Sequence, residues 1–235
     1  MCVAEAGQRV YTARELAFRP EATIVLIALN VVTFFVQQTT DITNRGFVSG
    51  FTVSQGEWWR MVTAGFLHAS LFHIGFNMYL LWILGPQLER AFGKFKFLLI
   101  YFGAMLGGSA AVTFFNWPSG AIGASGAVLG LAGAMGAIYR IRGFDVRQSP
   151  VFGLVVLNLA LPILTNIVDL GFGRISFWGH LGGMIGGAII AGVLVWLPER
   201  GVLPKNMVVP AALATVVLFG ALGLVGAELM LTPIL

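Results

Sequence analysis

Four polar side chains lie in or beside strongly apolar stretches of this sequence, and their types could support acyl transfer. Ser125 begins the stretch "SGAVLGLAGAMG", and His180 lies within "FWGHLGGMIGG". His73 and Asn77 are four residues apart in "HIGFN", a spacing that places them on one face of a helix. A serine hydroxyl, an imidazole base and hydrogen-bond donors are the groups needed for nucleophilic catalysis at a carbonyl carbon.

The composition indicates an integral membrane protein. Of the 235 residues, 57% are hydrophobic and 10% are charged, and the mean hydropathy is +0.87. Soluble domains carry about 25% charged residues. The net charge of +4 comes from dispersed basic residues, so we predict no nucleic-acid partner. The single cysteine, Cys2, excludes an internal disulfide.

Seven apolar segments have about the 20 residues that a membrane-spanning helix needs. They are Ala22–Gln38, Leu71–Leu88, Phe95–Phe115, Ile122–Tyr139, Val151–Val168, Phe177–Leu197 and Met207–Met230. The first is interpreted as a retained helix rather than a signal peptide. The sequence therefore predicts an all-α polytopic membrane protein with seven membrane-spanning helices after a polar N-terminal segment (1–20).

The basic residues predict the orientation, because lysine and arginine are enriched in cytoplasmic connections. Three of the 14 lie on one side: Arg45, Arg60 and Arg174. The other eleven lie on the side of the N-terminus: Arg9, Arg14, Arg19, Arg90, Lys94, Lys96, Arg140, Arg142, Arg147, Arg200 and Lys205. The N-terminus is thus predicted in the cytoplasm and the C-terminus outside. The long outer loop from Thr39 to Leu67 contains Trp58 and Trp59, which favours a position in the outer interface.

In this topology the second, fourth and sixth segments all begin on the outer side. His73, Ser125 and His180 then lie about 22 to 30 Å from the inner ends of their segments, which is a similar depth. Small residues allow transmembrane helices to approach closely. We interpret Gly120, Gly123, Gly126, Gly130, Gly133 and Gly136 as one face of the fourth helix, and Gly179, Gly183 and Gly187 as the matching face of the sixth. Their contact would bring Ser125 to His180.

Structural roles are the alternatives for these residues. A membrane serine commonly bonds a carbonyl one turn back, and His73, Asn77 and His180 could link helices by hydrogen bonds. Glycine faces nearly always serve packing. The sequence has no H-E-x-x-H motif, so we predict no metal ion and no cofactor.

Other polar residues receive lesser predictions. His68 is expected in the interface, supporting the first loop. Asp169 is a weak candidate to orient His180, and Asn158, Asn166 and Glu228 are given no role.

At these residues the chain resembles the rhomboid family of intramembrane serine proteases, over about Ala22 to Leu197. The resemblance is carried in order by "WR" (Trp59, Arg60), "HASLFHIGFN" (His68, His73, Asn77), "GPQLERAFG" (Gly85, Glu89, Gly93), "GASG" (Gly123 to Gly126) and "GHLGGMIGG" (around His180). It implies a six-helix core (21–200) with a serine–histidine dyad, to which the seventh segment (201–235) is a C-terminal addition.

The resemblance also implies roles for single residues. Ser125 would be the nucleophile and His180 the general base. His73, Asn77 and the Ser125 backbone N–H would form the oxyanion hole, with Gly123 nearby. Gly126 and Gly183 would support the dyad, while Arg60 and Glu89 match structural positions. Some relatives stack an aromatic residue on the histidine from the position of Leu129, so here the base must be held otherwise, for which we name Trp178.

The implied partners are transmembrane protein substrates and the lipid bilayer. Substrates would be cut near the outer face, after entering past the fifth segment, and water would reach the site through an outward-open polar cavity. The cell membrane of a bacterium is the expected location. Two alternatives remain: an inactive relative that binds membrane clients, and a small transporter with glycine-broken helices.

Overall fold

The fold is built from helices in the part of the chain that the computed structural model describes, residues 18–115, 119–149, 151–167 and 175–229. The helices are α1 (Glu21–Gln37), α2 (Ile42–Gly46), α3 (Gly50–Ser54), α4 (Arg60–Thr63), α5 (Leu71–Phe115), α6 (Ser125–Ile141), α7 (Phe152–Ile167), α8 (Phe177–Ala191), α9 (Leu197–Glu199) and α10 (Val208–Leu229). A π-helical turn, Gly192–Trp196, joins α8 to α9. One isolated antiparallel bridge links Val48 to Ala121.

The seven predicted apolar segments are found as helices. The second and third lie within α5, which is interrupted at Gly93, where φ is 76° and ψ is 162°. Glycine tolerates this left-handed backbone, so α5 has two arms, 71–92 and 94–115. By length and composition, α5, Phe177–Glu199 and Lys205–Leu229 can each cross a membrane, while α1, α6 and α7 are shorter apolar helices. The chain is a multi-pass, all-α membrane protein.

Glycine contacts hold α6, α8 and the second arm of α5 together. A Cβ added to Gly183 would lie 2.6 Å from the carbonyl carbon of Gly126, and one added to Gly107 would lie 3.0 Å from the carbonyl oxygen of Gly182. Side chains at these positions would force the backbones apart. The predicted close packing of the fourth and sixth segments is therefore confirmed.

The interpretation of all six glycines between 120 and 136 as one helix face is wrong. Helix α6 begins at Ser125, so Gly120 and Gly123 lie in the loop before it. Gly120 packs on the Phe47 ring, where an added Cβ would be 2.6 Å from Cδ2. Gly123 has a φ of 126°, a conformation that favours glycine. Only the later glycines of the run belong to the helix.

Polar contacts brace the end of the helices opposite Ser125. The buried Glu89 carboxylate accepts hydrogen bonds from the backbone N–H groups of Ala22 and Thr23, at 2.9 and 2.8 Å. These N–H groups belong to the first turn of α1 and lack intrahelical acceptors, so Glu89 caps that helix. Arg142, after α6, pairs with Glu199 of α9 at 2.9 Å.

Helix α10 lies within the predicted appended segment. It packs along α5 and against α4: Gly223 lies against Ala110 of α5 and Met61 of α4, and Gly226 lies against the Phe114 ring. An added Cβ on Gly223 would be 3.4 Å from the Ala110 Cα. The division into a core (21–200) and an appended helix (201–235) stays a prediction.

Candidate active site

Ser125 and His180 meet across the contact between α6 and α8. The Ser125 Oγ lies 2.8 Å from the His180 Nε2. Ser125 is the first residue of α6, and His180 lies in the first turn of α8, whose N-terminus is capped by the Ser176 hydroxyl accepting from the Gly179 N–H at 3.1 Å. The two side chains therefore project from adjacent helix N-termini, as the sequence predicted.

The other ring nitrogen of His180 bonds the main chain of α7. The His180 Nδ1 lies 2.9 Å from the carbonyl oxygen of Asn158. A carbonyl can only accept, so Nδ1 carries the proton and Nε2 presents its lone pair to the Ser125 hydroxyl. The sequence analysis gave Asn158 no role and did not consider this main-chain oxygen. The Asn158 side chain itself donates to the Leu154 carbonyl at 2.8 Å.

Trp178 lies elsewhere than the prediction required. Its ring stacks on Phe115, with centroids 4.5 Å apart, and meets Phe177 edge-on at 5.4 Å. The hydrogen bond that fixes the His180 ring is instead donated by its Nδ1–H to the Asn158 carbonyl. The stacking of Trp178 on Phe115 thus packs the start of α8 against the end of α5. Asp169 lies outside the described residues.

His73, in the first turn of α5, lines a cavity together with Ser125 and His180. Its Nδ1 accepts a hydrogen bond from the Ala69 N–H at 3.3 Å, so the ring proton resides on Nε2. That nitrogen lies over Gly123, where an added Cβ would be only 2.7 Å from it. Both the positive φ and the closeness of the His73 ring therefore favour glycine at position 123. The geometry gives the cavity a donor, His73 Nε2–H, near Ser125.

Asn77 lies one turn further along α5. It is buried, and its Nδ2 donates to the His73 carbonyl at 3.0 Å. An amide nitrogen carries two hydrogens, so this bond leaves one for a further acceptor. The expected placement of His73 and Asn77 on one helical face is confirmed.

The long first loop fixes the backbone that leads into Ser125. Val48 and Ala121 exchange two backbone hydrogen bonds, of 3.1 and 2.8 Å. The Gly123 N–H donates to the Ala64 carbonyl at 2.9 Å. Loop residues between α1 and α5 therefore hold the turn before α6 in place, which the sequence did not indicate.

His68 also contacts this turn. Its Nε2 accepts from the Ala124 N–H at 3.5 Å, and the Gln37 amide oxygen accepts from its backbone N–H at 2.9 Å. The side chain is 2% exposed and is therefore enclosed by protein, while its expected depth at the membrane interface stays a prediction. Burial, and secondarily the neighbouring His73, lower the pKa of His68 to about 3. His68 is therefore neutral at pH 7.

The cavity beside Ser125 has a volume of about 300 Å³. His73, Ser125 and His180 line it together with Val48 and Phe47 of the first loop. Its size allows water to reach the Ser125 hydroxyl. Among the described residues, no three His, Cys, Asp or Glu side chains are grouped as metal ligands.

Comparison with known proteins gives consistent matches. A model of the rhomboid domain matches residues 55–197, which is well over half of the chain and includes all four polar residues discussed above. The chain is 34% identical over 200 residues to the rhomboid protease GluP of Bacillus subtilis, covering 80% of this chain and 38% of that protein. It is 27% identical over 213 residues to the rhomboid protease AarA of Providencia stuartii, covering 76% of this chain and 74% of that one.

The chain thus spans well under half the length of GluP. Three observations point to one family: the match to the domain model, the helical membrane fold and the contact between Ser125 and His180. This chain belongs to the rhomboid family.

Proposed function

We propose that this chain is an intramembrane serine endopeptidase that cleaves transmembrane segments near the outer membrane face. The observation that carries the proposal is the 2.8 Å hydrogen bond between Ser125 Oγ and His180 Nε2. The relatives GluP and AarA are both named rhomboid proteases, which supports hydrolysis of peptide bonds.

Ser125 is the nucleophile and His180 the general base in this proposal. As the Ser125 Oγ bonds to the scissile carbonyl carbon, its proton passes to His180 Nε2, and the carbonyl oxygen becomes an oxyanion. The resulting imidazolium stays hydrogen-bonded to the Asn158 carbonyl through Nδ1. Collapse of the tetrahedral intermediate breaks the C–N bond, and the Nε2 proton passes to the leaving amine.

The oxyanion is stabilised by hydrogen-bond donors around Ser125. The Ser125 backbone N–H lies at the N-terminus of α6, where N–H groups lack intrahelical acceptors and the helix dipole favours negative charge. His73 Nε2–H and the second hydrogen of Asn77 Nδ2 supply side-chain donors. Removal of one such donor typically lowers kcat by about 100- to 1,000-fold.

Water completes the reaction. His180 Nε2 takes a proton from a water molecule in the cavity, and the hydroxide attacks the Ser125 acyl carbon. Release of the new carboxyl end returns the proton to Ser125 Oγ. The residues of this mechanism require no metal ion or cofactor.

The substrates are transmembrane helices that approach in the plane of the bilayer past α7. Helix α7 exposes apolar side chains, among them Val156, Leu157 and Ile163, and so suits contact with lipid or with another apolar helix. We place the protein in the cell membrane of a bacterium, with the N-terminus in the cytoplasm and the C-terminus outside. The location is supported by the bacterial source of GluP and AarA. The orientation is supported by the excess of basic residues in the connections on the side of the N-terminus.

The two alternative functions receive less support. An inactive client-binding relative has no need for a serine hydroxyl bonded to a histidine whose tautomer is fixed. A small transporter with a central site is disfavoured by membership in the rhomboid family.

Cleavage of a reporter transmembrane segment in liposomes tests the proposal. We expect purified protein to release two fragments, cut near one end of the apolar segment, and Ser125→Ala to release none. Equal cleavage by wild type and Ser125→Ala would refute the proposal. It would also be refuted if folded wild-type protein cleaved none of several different reporter transmembrane segments.

A further inference from the structure

Helix α7 contains a proline in its interior, Pro162, whose side chain is buried. In an α-helix the carbonyl of residue i pairs with the N–H of residue i+4. Proline has no N–H, so the Asn158 carbonyl cannot form its α-helical bond. The carbonyl released by Pro162 is the one that accepts from His180 Nδ1 at 2.9 Å.

Asn158 and His180 are both buried, so each needs the other as a hydrogen-bond partner. Asn158 is 3% exposed and His180 is 5% exposed, so each group would lie unpaired in an apolar setting without the other. Buried polar groups are nearly always hydrogen-bonded because an unsatisfied one is costly. The Asn158 side chain bonds to the Leu154 carbonyl one turn back, so the contact with His180 is made by the Asn158 main chain alone.

We propose that Pro162 and Asn158 are positioning residues for the general base: Pro162 withholds a helical N–H so that the Asn158 carbonyl holds the His180 ring in its Nδ1–H form. This inference rests on the proposed function, in which His180 Nε2 must be unprotonated to accept the Ser125 proton. It assigns to a main-chain carbonyl the orienting task that an aspartate performs in three-residue triads.

The Pro162→Ala substitution tests the inference by restoring an N–H at position 162. That N–H would compete with His180 for the Asn158 carbonyl, and the ring would then populate its Nε2–H tautomer. We expect labelling of Ser125 by a fluorophosphonate probe to slow by about 10- to 100-fold, a part of the loss that a wrong histidine tautomer causes in a triad. Nitrogen-15 spectra of labelled histidine would report the tautomer directly, because the chain has only three histidines.

A matched control is available in α5. Pro86 is also inside a helix, and Pro86→Ala restores a helical N–H far from the site. We expect wild-type labelling and an unchanged His180 spectrum. A readout of tautomer separates positioning from a general loss of helix packing.

Replacing Pro162 with lactic acid distinguishes the missing N–H from the proline ring. Lactic acid is the ester analogue of alanine and lacks both ring and N–H. We expect this variant to keep the Nδ1–H tautomer and a labelling rate near that of wild type. This expectation holds whether or not Pro162→Ala folds. An Nε2–H tautomer in the lactic acid variant, or a wild-type tautomer and labelling rate in Pro162→Ala, would overturn the inference. A wild type that the probe does not label would instead refute the proposed function, with the tautomer still measurable.

Discussion

Gly183 of α8, one turn beyond His180, lies directly against the backbone of Gly126 in α6, the residue that follows Ser125. A Cβ on Gly183 would lie 2.6 Å from the Gly126 carbonyl carbon, whereas a Cβ on Gly126 would lie 3.1 Å from the nearest atom, the Gly179 carbonyl oxygen. The contact is thus tighter from the α8 side. It sets the separation of the two helices that carry the hydroxyl and the imidazole.

This asymmetry predicts graded effects of alanine. Gly183→Ala should lower the rate of reporter cleavage by about 100-fold, because a displacement of about 1 Å between reacting groups can cost that much. It should also lower the Tm in detergent. Gly126→Ala should have a smaller effect on both, and valine at either position should abolish cleavage. Gly220→Ala in α10 is the control, since its nearest neighbour would be the Leu106 Cδ1 at 4.0 Å. Near-normal cleavage by Gly183→Val would show that the glycine contact does not position the dyad.

A side chain at position 123 is predicted to clash with the His73 ring. In Gly123→Ala the new Cβ would lie 2.7 Å from both Cε1 and Nε2 of the His73 ring, and φ would stay at 126°. We expect a loss of cleavage of at least about 100-fold, the cost of one displaced oxyanion donor. Gly143→Ala is the matched control, because Gly143 also has a positive φ, 83°, but an added Cβ there meets nothing within 4 Å. Equal activity of the two variants would contradict the assigned place of His73.

The sequence predicted the helices and the pairing of Ser125 with His180, because apolar length, charge bias and glycine spacing are properties of side chains along one chain. It did not reveal the Asn158 carbonyl, since every residue has a carbonyl and no side-chain motif marks the one that is used. Pro162 was the available signal: a proline inside a helix leaves one specific carbonyl unpaired. The error about Gly120 and Gly123 has a similar origin, as spacing alone does not show where a helix begins.

His68 predicts a pH dependence of stability. Its pKa is lowered to about 3 in the folded protein, mainly by burial, and is near 6.5 in the unfolded chain. Between these values the unfolded chain binds the proton and the folded protein does not, so stability falls as the pH is lowered from 6.5 toward 3. The slope from this residue approaches about 1.4 kcal/mol per pH unit.

The variant His68→Gln isolates that contribution, because glutamine does not titrate and still offers an acceptor to Ala124. We expect the Tm of wild type to fall more steeply than that of His68→Gln between pH 7 and pH 5. Parallel Tm profiles for the two proteins would show that His68 is not held neutral.

The charge bias predicts the orientation in the membrane. A reporter fused after Leu235 should be active on the outer side, and one inserted near residue 145, between α6 and α7, should be active in the cytoplasm. The reverse pattern would place Ser125 in the cytoplasmic half of the bilayer and would contradict the proposed outer cleavage site.

The central claim is that His180 activates Ser125. The most direct test is covalent labelling of the purified protein by a fluorophosphonate probe in detergent, with the modified residue identified by mass spectrometry. The hydrogen bond between Ser125 and His180 predicts a single adduct on Ser125, no adduct in Ser125→Ala, and labelling slowed by about 100-fold or more in His180→Ala, the scale of general base catalysis. Labelling that persists in Ser125→Ala, or that proceeds at the wild-type rate in His180→Ala, would contradict the claim.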